Sequence, residues 1–184
     1  KENELIEELY QLTDEIQNGK TTTIADLINM TIKKVTSLSD KVNVNDTLKT
    51  FNSLNSAIDY IAYRNMGINE RKDSFKRELI RNSFEVMLQS KINGEDTSIE
   101  TLATIDGINR SNMVNYLADF ARRVKHFDDE KKSTVANSIH IECLSQEPAE
   151  VKIYKSIDLI AKNNLTNDLL GKKIKTKTKV KVEE

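Results

Sequence analysis

The 184-residue chain is long enough for one good core or for two small helical units. With 31% charged and 38% hydrophobic residues it reads as globular, and one Pro and five Gly favour long helices over a turn-rich sandwich. A net charge of −1 excludes a global attraction to nucleic acid or to an anionic membrane, so such binding would need a local patch.

Leu5, Leu9, Leu12 and Ile16 form the stripe of a first amphipathic helix, stopped at Asn18-Gly19. Thr22 or Thr23 caps a second, whose seam is Ile24, Ile28, Thr31, Val35, Leu38 and Val42. So short a turn between two seams predicts an antiparallel helical hairpin. After a loop at 43–46, a third helix capped by Asp46 buries Leu48, Phe51, Leu54, Ile58 and Ile61 and ends at Gly67. A fourth, over 70–92, carries Phe75, Leu79, Phe84, Val86 and Met87 and stops at Asn93-Gly94. The alternating charges of its first half read as a solvated face.

N-G-K-T-T-T-I-A-D-L at 18–27 parallels N-G-E-D-T-S-I-E-T-L at 93–102. In both, glycine stops one helix, a hydroxyl residue caps the next, and an Ile and a Leu three apart point to the core. A repeated turn solution explains this as well as a duplication does.

The stretch 97–127 contains a short apolar helix, a turn at Asp106-Gly107 and a longer amphipathic helix. Beyond it, 128–137 is polar with room for a short helix. Ser138 to Leu144 alternates partly and predicts a strand. Pro148 opens a further helix with Val151, Tyr154, Ile157, Ile160 and Ala161 on its stripe, and 165–170 makes a short helical turn closed by Gly171. Finally Lys173, Lys175, Lys177, Lys179 and Lys181 alternate with Ile174, Thr176, Thr178, Val180 and Val182. This period of two predicts a strand pairing antiparallel with Ile139 to Leu144.

Within 97–127, Ala103 occupies the small-residue position of a first helix, Gly107 can supply a positive-φ turn, and Ile108 follows it. The polar Arg110, Ser111 and Asn112 then precede the apolar Met113. The stretch resembles the helix-turn-helix motif of bacterial and phage DNA-binding regulators over about 30 residues. It departs from that pattern at Asp106, where an apolar residue is preferred. The resemblance implies that helix 111–124 enters a major groove, with Met113, Leu117, Phe120 and Val124 on the core side and Asn112, Asn115, Asp119 and Arg122 opposite. The nucleic-acid-binding candidates are Arg110, Ser111, Asn112, Asn115, Arg122, Arg123 and Lys125: Asn suits adenine edges, and Arg suits guanine or phosphate. The same two helices could serve packing alone.

The lysine strand, Lys173 to Lys181, is a secondary basic candidate for phosphate or an acidic partner. Protection of an exposed edge against pairing is the more usual role of such lysines. His140 and Cys143 on a strand would face opposite ways, which argues against a metal site or a nucleophile and base pair. No phosphate-cradling glycine loop occurs in the sequence. No cofactor and no enzymatic activity are therefore expected.

The sequence thus predicts a mainly α fold: a multi-helix bundle with a helix-turn-helix-like unit and a small C-terminal antiparallel β element. Its expected regions are 1–67 (helical hairpin plus third helix), 68–137 (the helix-turn-helix-like unit) and 138–184 (strand, helix, strand). The expected function is that of a non-enzymatic DNA-binding regulator acting on duplex DNA, with a protein partner or a homo-oligomer expected because symmetric half-sites are usual for this motif. The alternative is a structural or assembly protein, such as a phage virion component or helical adaptor, in which the motif only packs. A single cysteine fits a reducing compartment, and no apolar run approaches the roughly 18 residues of a membrane span. The expected location is cytoplasmic, or a virion for a phage protein, with no membrane partner.

Overall fold

The computed structural model describes residues 44, 45, 48, 49, 52, 55 and 72–171. The described residues are mainly helical and include no strand. Six helices lie within the continuously described residues 72–171: α1 (Lys72–Ile92), α2 (Ile99–Thr104), α3 (Gly107–Val124), α4 (Glu130–Cys143), α5 (Ala149–Lys162) and α6 (Thr166–Leu170). The chain divides into two compact units, Lys1–Val86 and Met87–Glu184.

In the first unit, α1 contributes Leu79, Ile80, Phe84 and Val86 to the buried apolar set, which also includes Val44 and Leu48. Val44 and Asn45 are helical, where the sequence predicts a loop. The charged side of α1 is stitched locally: Arg81 pairs with Glu78 one turn back and with Glu85 at 3.8 Å one turn on. Such i, i+3 and i, i+4 neighbours share one helix face. The predicted N-terminal hairpin, the 18–27 half of the repeat and the lysine strand at 173–181 lie outside the described residues.

The second unit begins with the end of α1, which closes as the sequence predicts. Gly94 adopts φ +89°, and Glu95 N donates to Ser90 O at 2.8 Å while Gly94 N donates to Lys91 O at 3.1 Å. This pair of bonds satisfies carbonyls that a helix end otherwise leaves unpartnered. Ser98 then caps α2, its hydroxyl accepting from Thr101 N at 3.1 Å. Of the two apolar residues expected to enter the core here, Leu102 is fully buried and Ile99 is exposed.

Three helices build the centre of this unit. α3 packs on α4 and α5, α4 also packs on α5, and α2 lies against α5. Met113, Leu117, Phe120 and Val124 of α3 are buried, as their spacing predicts, together with Ile139 of α4 and Ile153, Ile157 and Ile160 of α5. Tyr116 joins them, its hydroxyl donating to Leu169 O at 3.3 Å and so tying α3 to α6. α5 ends through Asn164 at φ +58°, with Leu165 N donating to Ile160 O at 2.9 Å. The short α6 is closed by Gly171 at φ +73°.

The largest departure from the sequence reading is α4. Ser138 to Leu144, predicted as a strand, form the last turns and C-cap of a helix that Asp129 initiates by accepting from Lys132 N at 3.1 Å. The alternation Ile139, His140, Ile141, Glu142, Cys143 imitates a strand. In a helix it places Ile139 and Cys143 on one side, four residues apart, and Ile141 on the other. The expected β partner of the lysine segment is therefore helical, and the predicted antiparallel pairing is not formed by Ile139 to Leu144.

Candidate interaction face

The helix-turn-helix resemblance can be compared with the chain at each of its key positions. Gly107 is the first residue of α3 and is not among the positive-φ glycines, so the turn does not use its left-handed freedom. The neighbouring aspartate makes the helix start instead. Asp106 Oδ1 accepts from Ile108 N at 2.9 Å and Asn109 N at 3.4 Å. An N-cap carboxylate satisfies free amides and sits favourably at the positive end of the helix dipole. The residue that departs from the motif is thus the one that shapes this turn. Ala103, expected against the second helix, is exposed, and Ile108 is 68% exposed. The helix that α2 chiefly packs against is α5.

The predicted nucleic-acid residues fall into three groups. Arg110 is half-buried and turned toward α5, with Nη1 2.7 Å from Glu150 Oε1. Ser111 and Asn115 are exposed and Asn112 is half-buried. Toward the C-terminal end, Arg122 is ion-paired with Asp119, Arg123 stands with its guanidinium 6.0 Å from the Phe120 ring centroid, and Lys125 caps the helix. Two of the three arginines therefore already hold a carboxylate. Lys173, Lys175, Lys177, Lys179 and Lys181 lie outside the described residues.

Sequence reasoning missed what borders this stripe. Ser133 Oγ donates to Lys125 O, and Cys143 Sγ lies 3.9 Å from Val114 O, so α3 and α4 run antiparallel with a fixed register. That register sets Ile141 level with the Tyr116–Leu117 turn of α3 and Leu144 level with Met113–Val114. Ile141 is 63% exposed and Leu144 is 71% exposed. Residues three apart near a helix end share a face, so the pair forms an aliphatic spot beside the polar stripe of α3. With a strand assigned to 138–144, the inward and outward residues could not be sorted, and no signal in the sequence marked Ile141 as the outer one.

The chemistry of the remaining polar groups is structural. Burial pushes the Cys143 thiol up, helped by the Glu142 carboxylate and opposed by Lys152 and the Ser156 hydroxyl. A buried, protonated thiol is a poor nucleophile. Lys152 Nζ donates to Cys143 O at 2.8 Å, a cation satisfying a carbonyl at the C-terminus of α4. At the end of α1, Lys91 bridges Asp96 at 2.9 Å and Asp158 of α5 at 3.4 Å. Burial works against its charge, but the two carboxylates outweigh this and hold the ammonium above its ordinary pKa. Asp158 is held below the usual carboxylate range by Lys162, against its own desolvation, with Lys91 adding to the effect. Among the described residues no three His, Cys, Asp or Glu side chains converge as metal ligands.

Among the described residues no helix is long and apolar enough to cross a membrane. Compared with known proteins, the chain matches no family profile, no curated protein sequence and no solved structure.

Proposed function

We propose that the chain is a non-enzymatic helical interaction module of the structural or assembly type, and that its 97–127 pattern serves packing. The observation that carries this reading is the make-up of the open face of α3 and α4. Beside the Ser111 and Asn115 stripe stand the exposed aliphatic side chains of Ile141 and Leu144, while Arg122 is paired with Asp119. A duplex reader gains its affinity by neutralising phosphates, and apolar side chains next to its reading helix contribute nothing to that. A protein partner gains from both the apolar spot and the uncharged stripe.

Duplex DNA and heparin binding at graded salt, measured alongside light scattering, tests this. The expected outcome is little retention at physiological salt. Tight duplex binding that falls steeply with salt would sink the assembly reading.

A second reading, sequence-specific duplex binding by α3, is favoured by one observation. Asn112 and Asn115 are accessible on an 18-residue helix that ends in Arg123 and Lys125. Under it, Asn112→Ala combined with Asn115→Ala weakens specific binding with the helical content unchanged.

A further inference from the structure

We propose that residues 94–106, the α1–α2 turn together with α2, form a strap that opens from α5 as a unit and is clasped shut by Lys91. The device lies wholly within the second unit and does not rest on the interaction-module reading. Three observations carry it.

The first is how little apolar anchorage the strap has. α2 is six residues long, too short to hold a helix in water, so its shape depends on what it lies against. Leu102 and Ile105 are its buried aliphatic anchors, whereas Ile99 is exposed.

The second is a polar cost of closing. Thr97 is buried, and its Oγ1 has no hydrogen-bond partner among the described residues. The seam between Thr97 and Leu102 of the strap and Tyr154 and Ile157 of α5 holds a cavity of about 10 Å³, at the lower limit for one water. Closing therefore takes a hydroxyl out of water without giving it a partner, and it leaves the seam incompletely packed.

The third is the clasp that offsets this cost. Lys91, half-buried at the end of α1, reaches Asp96 of the strap at 2.9 Å and Asp158 of α5 at 3.4 Å. Asp158 also holds Lys162 at 3.0 Å. Removing the Lys91 charge thus leaves the α5 carboxylate paired and releases Asp96, so the loss falls on the strap and not on the core. An ion pair with one exposed partner shifts such an opening by a factor of about two to five.

The test is native-state amide hydrogen exchange of the full chain, followed residue by residue. Leu102 N and Ile105 N donate to Ser98 O and Leu102 O, both at 3.2 Å, so their exchange reports opening. Relative to their unfolded rates they are expected to exchange at least about tenfold faster than the amides of Leu117 and Phe120 in α3. Lys91→Met keeps the stem without the charge. It should speed the strap about two- to fivefold and leave α3 unchanged, while Lys91→Arg should match the unmodified chain. Raising NaCl from about 0.05 M to about 0.5 M should speed the strap in the unmodified chain but not in Lys91→Met. Thr97→Val, which removes the unpaired hydroxyl at nearly constant shape, should slow it. Strap amides as protected as those of α3, or a Lys91→Met protein that opens no faster or speeds α3 equally, would overturn the proposal. So would a Lys91→Arg protein that behaves like Lys91→Met, salt sensitivity that survives in Lys91→Met, or a Thr97→Val protein that opens no slower. The salt and Thr97 measurements need no Lys91 variant to fold.

Discussion

In α3 the residues Met113, Leu117, Phe120 and Val124 all fall on one side of the helix and all are buried. In its neighbour α4 the apolar residues divide, Ala136, Ile139 and Cys143 turning inward and Ile141 and Leu144 outward. Both helices begin in the same way, with an aspartate accepting backbone amides of the first turn, and they lie antiparallel against each other. The difference between them is therefore one of allocation. Apart from Ile108, exposed in its first turn, α3 commits its large apolar side chains to the core and leaves a polar stripe outside. α4 commits only part of its set and leaves two large aliphatic groups in solvent. Exposure of that kind at a single position is ordinary, but at two neighbouring positions it marks a surface with something to gain from a partner.

The contrast can be broken most forcefully in α3. Phe120 is fully buried, and Phe120→Ala should cost about 3–5 kcal/mol in denaturant unfolding, through lost transfer energy and the cavity left behind. A loss under about 1 kcal/mol would mean that α3 is not the core helix described here.

The division within α4 is sharpened by a matched pair. Ile139→Ala should destabilise by about 2–5 kcal/mol, whereas Ile141→Ala, one helix side away, should stay within about 0.5 kcal/mol in dilute solution. Equal costs for the two would restore the strand-like reading, in which Ile139 and Ile141 share one face.

The smallest effects concern how α3 starts. Asp106→Ala removes the cap and should cost about 1 kcal/mol. Gly107→Ala should instead stabilise by about 0.5 kcal/mol, because a helical glycine is entropically costly and an added Cβ would meet only Arg110 Nη2 at 3.9 Å. A helix-turn-helix glycine at positive φ would respond with the opposite sign, so thermal melts of these two variants distinguish the turn geometries.

Much of the second unit was legible from local signals. The stop of α1 at Gly94, the opening of α5 at Pro148 and the closure of α6 by Gly171 stand where glycine and proline announce them. The inward stripe of α3 follows from its period. The candidate site was less legible. Ser111, Asn112, Asn115 and Arg122 were assigned to the right helix, but the direction of Arg110 depends on Glu150, forty residues away in the chain. The aliphatic spot was hidden because Ile139, His140, Ile141 and Cys143 satisfy a strand's alternation and a helix's spacing at once.

The sequence by itself determined where the helices stop and start and which side of α3 is apolar. Caps, left-handed glycines and the 3.6-residue period act between neighbours along the chain and need no distant partner. Only the tertiary structure decided that the second half of α4, from Ser138 on, is helical, that α2 rests on α5, and that Ile141 and Leu144 remain outside. These depend on which surfaces meet across the fold, and the same short apolar pattern is compatible with more than one such meeting.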